Sequence, residues 1–518
     1  MRHIVFCLTV VLSMRAEAQV PVNPDSALQK ILNRLEGTTL TVKGAVQNAL
    51  ERSTGVKTAE AAFAAANGAA RREAGAFDPQ FYLNINYLND ESPQASFFSG
   101  ATVLSTKQTT GTTGVRWQSP IGTSIDASLN TVRVLTNSSF AFLNPQYTTL
   151  GNLTLRQPLL GGFFVSAQKQ AKKTSHELDE AKARYDQEIL AVSSQVEQSY
   201  WDLYEAERNY AVLQLTRDQA EALLKEAQVR AKSGLIGPSQ VANARTFLAQ
   251  QEVLLLDGEE QLDRLSDALA SLVGTRPDSG ANRFITTENP PEEFPPAEVN
   301  VLVQGAIQNN LALQAARSEV EARRSLSDAA FWEALPSVSL IGSIGGNGLS
   351  GTPQDIIFLG DTLRTTVSGG MRDAWRQALK RDFPTWTIGV EVNIPIGLRS
   401  GMGEKERLEA EVSIAEQQYI EQTRVLEEQV RAGYRDLFHG QHRLKAAREG
   451  VSAAQEQVRI GQIEFQNGRT TAFELVRLGA DFAAAQQRYS QALVRSAKAA
   501  ALLRQLTSGA YAGKSATE

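Results

Sequence analysis

Between residues 163 and 273, and again between 402 and 506, apolar side chains recur every three or four positions. Tyr185, Ile189, Val192, Val196, Tyr200 and Leu203 form one such row, with Ala, Gln, Glu and Arg between them. That spacing predicts helices packed along a narrow seam. Each stretch is broken once, by "SGLIGPSQVANAR" (233–245) and by "NGRTTAFELVRLG" (467–479). The pattern therefore predicts four long helices, 163–232 with 239–273 and 402–466 with 471–506, each pair closed by a Gly turn. At 1.5 Å per residue the longer member of each pair would reach roughly 100 Å. Taken alone, these helices fit a coiled-coil rod.

Other segments alternate with period two: "QFYLNINY" (80–87), "GVRWQS" (114–119), "TSIDASLNTV" (123–132), "TTLGNLTLRQ" (148–157), "SVSLIGSI" (337–344) and "TWTIGVEVNI" (385–394). One face is polar or small and the other apolar, as in barrel strands of about 9–11 residues that cross an outer membrane. Water is absent from a bilayer core, so strand edges there must close. Six strands in two separated sets are too few for a wide barrel, which points to a barrel shared between several chains. Phe81, Tyr82, Trp117, Tyr147 and Trp386 lie beside strand ends and are expected to form interfacial girdles. Polar excursions at 88–110, 133–147 and 346–383 read as extracellular loops, the last with a helical piece at 370–383.

The two halves repeat one another. "AVQNAL" (45–50) and "AIQNNL" (306–311) open Ala-rich helical stretches, each ending at a proline before a strand, in "FDPQFYLNINY" (77–87) and "LPSVSLIGSIG" (335–345). A second strand closes on Pro158 or Pro395, and "VEQSYWDLY" (196–204) or "VRAGYRDLF" (430–438) lies in the long helix that follows. The offset of 234 carries through to Gly234 and Gly468. The expected organisation is a first repeat at 41–287, with strands in 79–158 and a helical hairpin at 163–273. A Pro-rich linker at 288–298 leads to a second repeat at 299–508, with strands in 336–395 and a hairpin at 402–506.

The ends add a compartment. Arg2 and His3 precede an apolar run to Met14 and then Ala16-Glu17-Ala18, so residues 1–18 are expected to be a secretory signal peptide. An N-terminal periplasmic segment would follow at 19–40, and a tail at 509–518. The single cysteine, Cys7, falls inside that signal, which leaves the exported part without a disulfide or a lipid-modified cysteine. A formal net charge of −5 without a basic run argues against nucleic acid as a partner. No run of about 18 apolar residues offers a membrane helix.

Signals for chemistry are few. "GNGLSG" (346–351) fits a Gly-rich nucleotide loop, but no helix opens after it. His439 and His442 are three apart on a helix with no third ligand evident. Neither a nucleophile elbow nor a Cys/His pair occurs, so an enzyme, a cofactor and a metal are not expected.

The duplicated pattern, "AVQNALERS", "LRQPLLGG", "RAKSGLIGPSQVANAR" (230–245) and its partner "FQNGRTTAFELVRL" (465–478) together resemble the TolC family of outer-membrane efflux proteins, over about 41–508. The resemblance implies a mainly helical, internally duplicated chain. It also implies a homotrimer whose outer-membrane β-barrel continues into a long antiparallel α-helical periplasmic barrel, in the cell envelope of a Gram-negative bacterium. The implied role is the exit duct of a tripartite efflux pump or of type I protein secretion. The implied partners are outer-membrane lipid, a periplasmic adaptor and, through it, an inner-membrane pump of the RND, ABC or MFS kind. A periplasmic coiled-coil scaffold without a pore is the alternative of a different class.

Carried onto this sequence, the resemblance puts adaptor contacts at the hairpin tips: Arg230, Gly234, Leu235, Ile236, Gly468 and Arg469. It puts an acidic entrance position on Glu474 and a neighbouring one on Arg477. The gating Asp and Tyr positions fall on Gln240 and Phe465, and the gating Arg position on Thr470. These departures leave two readings, closure held by other contacts or a looser resting entrance. The family plan has four strands per chain and twelve in the trimer. The additional pair at 114–119 and 123–132 is expected to extend that sheet or lie at its rim, rather than to build a barrel of eighteen.

Overall fold

The computed structural model of the chain describes residues 24–277, 282–292, 294, 298–358, 360–467, 469–509 and 511. The expected signal peptide with Cys7, part of the Pro-rich linker, Gly468 and nearly all of the expected C-terminal tail lie outside them.

In chain order the elements are α1 (Pro24–Leu32), β1 (Thr38–Leu40), α2 (Val42–Arg52), α3 (Thr54–Ala74), β2 (Gln80–Pro93), β3 (Val103–Gln118), β4 (Ser124–Thr136), β5 (Leu143–Leu160), α4 (Val165–Lys232) and α5 (Pro238–Val273). The second half supplies β6 (Phe284–Thr286), α6 (Val299–Asn309), α7 (Leu311–Glu333), β7 (Ser337–Pro353), β8 (Ile356–Phe358), β9 (Asp361–Leu363), α8 (Met371–Lys380), β10 (Phe383–Asn393), α9 (Arg399–Gln466) and α10 (Ala472–Leu506). They assemble into two units. One takes the chain up to Lys57, Gln187–Asn310 and everything from Val425, and the other takes Thr58–Asp186 with Leu311–Arg424.

The first unit is helical. The seam read from the sequence is its core: Val196, Tyr200 and Leu203 are fully buried on α4, and Trp201 beside them packs edge-on against Tyr200 and Tyr204. Opposite, α9 presents Gly433, Gly440 and Gly461 at multiples of seven residues. A Cβ at each would collide with Leu503, Ser496 and Leu478 of α10. Each glycine thus receives the end of an α10 side chain in the space that a Cβ would fill. Helix ends are capped: Thr41 and Thr471 accept the N–H groups of Gly44 and Glu474, Pro238 occupies the first turn of α5, and Gly274 ends α5 at φ 71°.

The second unit holds a six-stranded antiparallel sheet in the order β10-β7-β5-β4-β3-β2. Here the expected strand plan is corrected. The additional hairpin, β3–β4, extends the sheet, but from within and not at a rim: it is inserted between β2 and β5, so the chain contributes six strands to one sheet instead of the expected four. The reason is length. With 16 and 13 residues, β3 and β4 pair along almost their whole extent on both sides, which satisfies backbone groups that a rim position would leave open. A tight turn at Ser119–Thr123, with Gly122 at φ 90°, joins them.

The expected loops shrink accordingly. β2 runs on to Pro93 and β3 begins at Val103, so the excursion at 88–110 is mostly strand; the one at 133–147 is reduced to the interval between Thr136 and Leu143. The helical piece at 370–383 is present as α8, and "GNGLSG" lies within β7 as strand.

Candidate functional site

Three regions bear on the candidate site: the hairpin tips, the two faces of the sheet, and a clasp on α4. At the first tip, Gly234 takes φ 69°, its N–H donates to the Ala231 carbonyl (3.0 Å), and the Leu235 N–H donates to the Arg230 carbonyl (2.9 Å). This is the helix-ending motif that needs a residue without a Cβ at the left-handed position. Leu235 is 74% exposed, whereas Ile236, expected to be exposed with it, is partly covered. Arg230 pairs with Glu226 at 2.7 Å on the same helix. Gln240 is exposed, and its N–H donates to the Gly237 carbonyl (3.1 Å).

At the second tip the Arg469 N–H donates to the Glu464 carbonyl at 2.8 Å. Arg469 is exposed and Thr470 partly covered, while the Phe465 side chain and Gly468 lie outside the described residues. Glu474 stands in the first turn of α10, where the helix dipole favours a carboxylate, and Arg477 lies 2.5 Å from it. The basic residue at the neighbouring position is thus bonded to the acidic one, so the chain presents an ion pair there rather than an isolated negative charge. Sequence reasoning missed Phe473, 70% exposed beside this pair. Its signal was an aromatic residue two positions after the N-cap Thr471, where helix packing has not yet begun.

The register of the sheet sorts its side chains. Phe81, Val115, Ala127, Leu153, Ile344 and Trp386 lie opposite one another across all six strands as a single apolar row. These side chains point away from the protein's own interior: Phe81 is 72% and Trp386 71% exposed. The alternate positions are polar, with Tyr82, Ser128, Asn152 and Thr385 in one row and ion pairs Arg116–Asp126 and Arg156–Glu391, both at 3.1 Å. Four of the five aromatics expected in girdles stand on the apolar face. Tyr82 does not, because an even-numbered position of β2 points to the polar face, where its hydroxyl bonds Asp126 at 3.0 Å.

The clasp was not foreseen. Tyr200, Tyr204 and Glu207, four and three residues apart on α4, grip the chain where it crosses between the halves. The Tyr200 hydroxyl accepts the Thr287 and Glu288 N–H groups and donates to the Leu40 carbonyl; the Tyr204 hydroxyl meets Asn289 at 3.0 Å. The Glu207 carboxylate accepts the Thr286 N–H (2.8 Å) and hydroxyl (2.5 Å). Burial raises its pKa to about 7, more than the two Thr286 hydrogen bonds and nearby Arg208 lower it. The sequence signal was "YWDLYEAE", polar-tipped residues on the buried face of a helix.

Among the described residues no group of three or more His, Cys, Asp or Glu could hold a metal, and His439 and His442 pack against Phe438. No described helix is long and apolar enough to cross a membrane.

The family profile described as outer membrane efflux protein matches residues 45–275 and 302–509, once in each half. Three solved structures share the fold. VceC, an outer membrane protein of Vibrio cholerae, is 16% identical, with 91% of this chain and 96% of that one covered at a TM-score of 0.60. The Campylobacter jejuni CmeC outer membrane channel is 13% identical, with 99% and 94% covered and a TM-score of 0.59. The Neisseria gonorrhoeae MtrE outer membrane channel is 14% identical, with 90% and 89% covered and a TM-score of 0.59. No curated protein matches the chain by sequence.

Proposed function

The chain belongs to the outer membrane efflux protein family, whose members are outer-membrane channels and not enzymes, and from that premise we propose that three copies form the exit duct of a tripartite efflux pump. The observation that carries this reading is the sheet, apolar on one face, polar on the other, and open at both edges. A long exposed edge with Phe81, Leu83, Ile85 and Tyr87 on β2, and Trp386, Ile388, Val390 and Val392 on β10, would aggregate unless another strand covered it. Six strands are an even number, so β2 of one copy meets β10 of the next in antiparallel sense. Repetition of that contact closes a ring. Three copies give eighteen strands, a count at which a barrel leaves an aqueous channel. The polar face lines it, and the apolar face meets lipid.

The hairpin tips would receive the periplasmic adaptor through Leu235, Ile236 and Phe473, with Arg230 and Arg469 as charged surroundings and the remaining turn set by Gly234 and Gly468. Glu474 with Arg477 stands at the entrance, and Gln240, Phe465 and Thr470 replace the charged gating contacts. Energy would come from an inner-membrane pump held through the adaptor. The test is conductance of the detergent-extracted protein in planar bilayers, alongside its mass in solution. Discrete openings from a trimer are expected. A water-soluble protein that never inserts would support the coiled-coil scaffold instead. Type I secretion differs in cargo and in the inner-membrane pump, and co-purification with an exported polypeptide and its ABC pump would favour it.

A further inference from the structure

Helix α8 packs on the apolar face of the sheet, not on the polar one. Its buried Ala374 and Ala378 rest on Gly348 and Gly346 of β7, where any Cβ would collide with the helix backbone, and Gly151 of β5 lies beneath Ala378. Trp375 Nε1 donates to Thr131 Oγ1 of β4 at 2.8 Å, and that hydroxyl is 3.2 Å from Thr149 Oγ1. The Ser350 hydroxyl donates to the Gly370 carbonyl at 2.7 Å. Gln377 accepts the Leu349 N–H at 2.8 Å, two residues beyond Asn347, where β10 stops pairing with β7. The helix thus descends β7 from Ser350 to Gly346, starting at the sheet end remote from α3 and α4.

The two rows it covers explain why it is there. On β2 and β4 they carry Leu83, Ile85 and Leu129, but on β5 and β7 only Gly and Thr. The helix replaces the missing apolar side chains with its own: Met371, Trp375 and Leu379, every fourth residue, are exposed at 43%, 37% and 71%. A parallel row beside it is basic and exposed, Arg372, Arg376 and Lys380, followed by exposed Arg381. Arg133 lies on the same face of the sheet, in one row with Tyr87 and Tyr147. The acidic groups of the segment are Asp382 and Asp373, whose carboxylate accepts the Gly370 N–H (3.0 Å) and pairs with Arg376 (3.4 Å). An apolar row beside a basic row suits the boundary between acyl chains and anionic headgroups.

We infer that α8 is an interfacial platform that binds a phosphorylated, multiply acylated glycolipid of the outer leaflet, its acyl chains against Met371, Trp375 and Leu379 and its phosphates on Arg372, Arg376 and Lys380. The inference rests on the channel reading, which puts this sheet face in lipid. Two observations select lipid as the occupant: the apolar row continues the apolar face of the sheet, and the basic row complements a phosphate. A second copy of the chain is disfavoured by position, because α8 lies mainly over β7 and β5 and reaches inward to β4, touching the open edge strand β10 only where the chain passes into it.

The test uses the full-length protein in detergent, first shown to conduct in planar bilayers. It measures by native mass spectrometry the retention of bisphosphorylated hexa-acylated lipid A and of the same lipid without phosphates. The wild type is expected to prefer the phosphorylated lipid by at least about tenfold, and the R372A/R376A/K380A variant to lose that preference while conducting normally. Replacing Arg372 and Arg376 by Lys in the wild type should retain it, and M371S/L379S should weaken both lipids alike. Equal retention of lipid A by the alanine triple variant would overturn the inference, as would displacement of lipid A by inorganic phosphate alone. Disulfide cross-linking of two copies through Leu379→Cys would overturn it too, in favour of an interface. Loss of insertion and conductance in the wild type would instead remove the channel reading itself, so the two failures are distinguishable.

Discussion

Large apolar side chains are placed oppositely in the two units. In the helical unit Trp201, Tyr200 and Leu203 are fully buried against neighbouring helices, whereas in the sheet Phe81, Ile388 and Trp386 are about seventy per cent exposed. The same residue types therefore answer to two solvents. In water, burial of such a side chain is worth about 1.5–3 kcal/mol. In a bilayer the outside is itself apolar, and it is the polar face that must be enclosed. The contrast teaches that exposure alone does not mark an error or a binding patch here; register and closure decide what each exposed row means.

The comparison can be broken most severely from the buried side. Trp201→Ala is expected to destabilise the helical unit by about 3–5 kcal/mol, read as a lowered unfolding midpoint in detergent. From the other side, Ile388→Lys on the apolar face, in one row with Trp117 at the girdle, should cost about 1 kcal/mol of barrel stability, measured by urea-dependent folding into lipid vesicles. Thr387→Lys, one residue away on the polar face, should fold normally and instead shift ion selectivity towards anions. Equal penalties at 387 and 388 would refute the assignment of the faces.

The buried carboxyl gives a pH test. Because Glu207 is pushed up to about 7 in the folded protein, the folded state binds its proton more tightly than the unfolded one. Its contribution to stability is therefore greatest below the ordinary carboxylate pKa and declines as pH rises to about 7, then stays level. The decline is on the order of 3 kcal/mol. Glu207→Gln, which keeps the bond to the Thr286 N–H, should flatten that slope in unfolding measured from pH 4 to 8. A slope unchanged in the variant would remove Glu207 as its source.

Smaller effects are expected at the tips. Gly234→Ala forces a Cβ into φ 69° and should destabilise the first hairpin by about 1 kcal/mol, detectable as faster local amide exchange. Glu474→Gln should shift selectivity towards anions, because it leaves Arg477 as an unpaired positive charge. Unchanged selectivity in single-channel recordings would mean that this pair does not lie at the entrance.

Much of this was legible in the sequence. The seam through Val196, Tyr200 and Leu203 gave the long helices nearly to the residue, since a helix buries positions at fixed spacing and ends where glycine permits a left-handed turn. The two halves, the Gly234 turn and the alternation of β2 and β10 were equally local. What the tertiary structure decided was everything that depends on which segment lies beside which. Local alternation makes the β3–β4 hairpin amphipathic, but only pairing with β2 and β5 places it inside the sheet. The even position of Tyr82 becomes a polar-face position only once the register is set. Glu207 reads as one more helix carboxylate until the chain returning 79 residues later closes over it with Thr286. The glycines of α9 and the pair Gly346 and Gly348 are regularly spaced, but the spacing does not name the neighbour that each admits, because a residue without a side chain records the presence of a neighbour only after that neighbour has arrived.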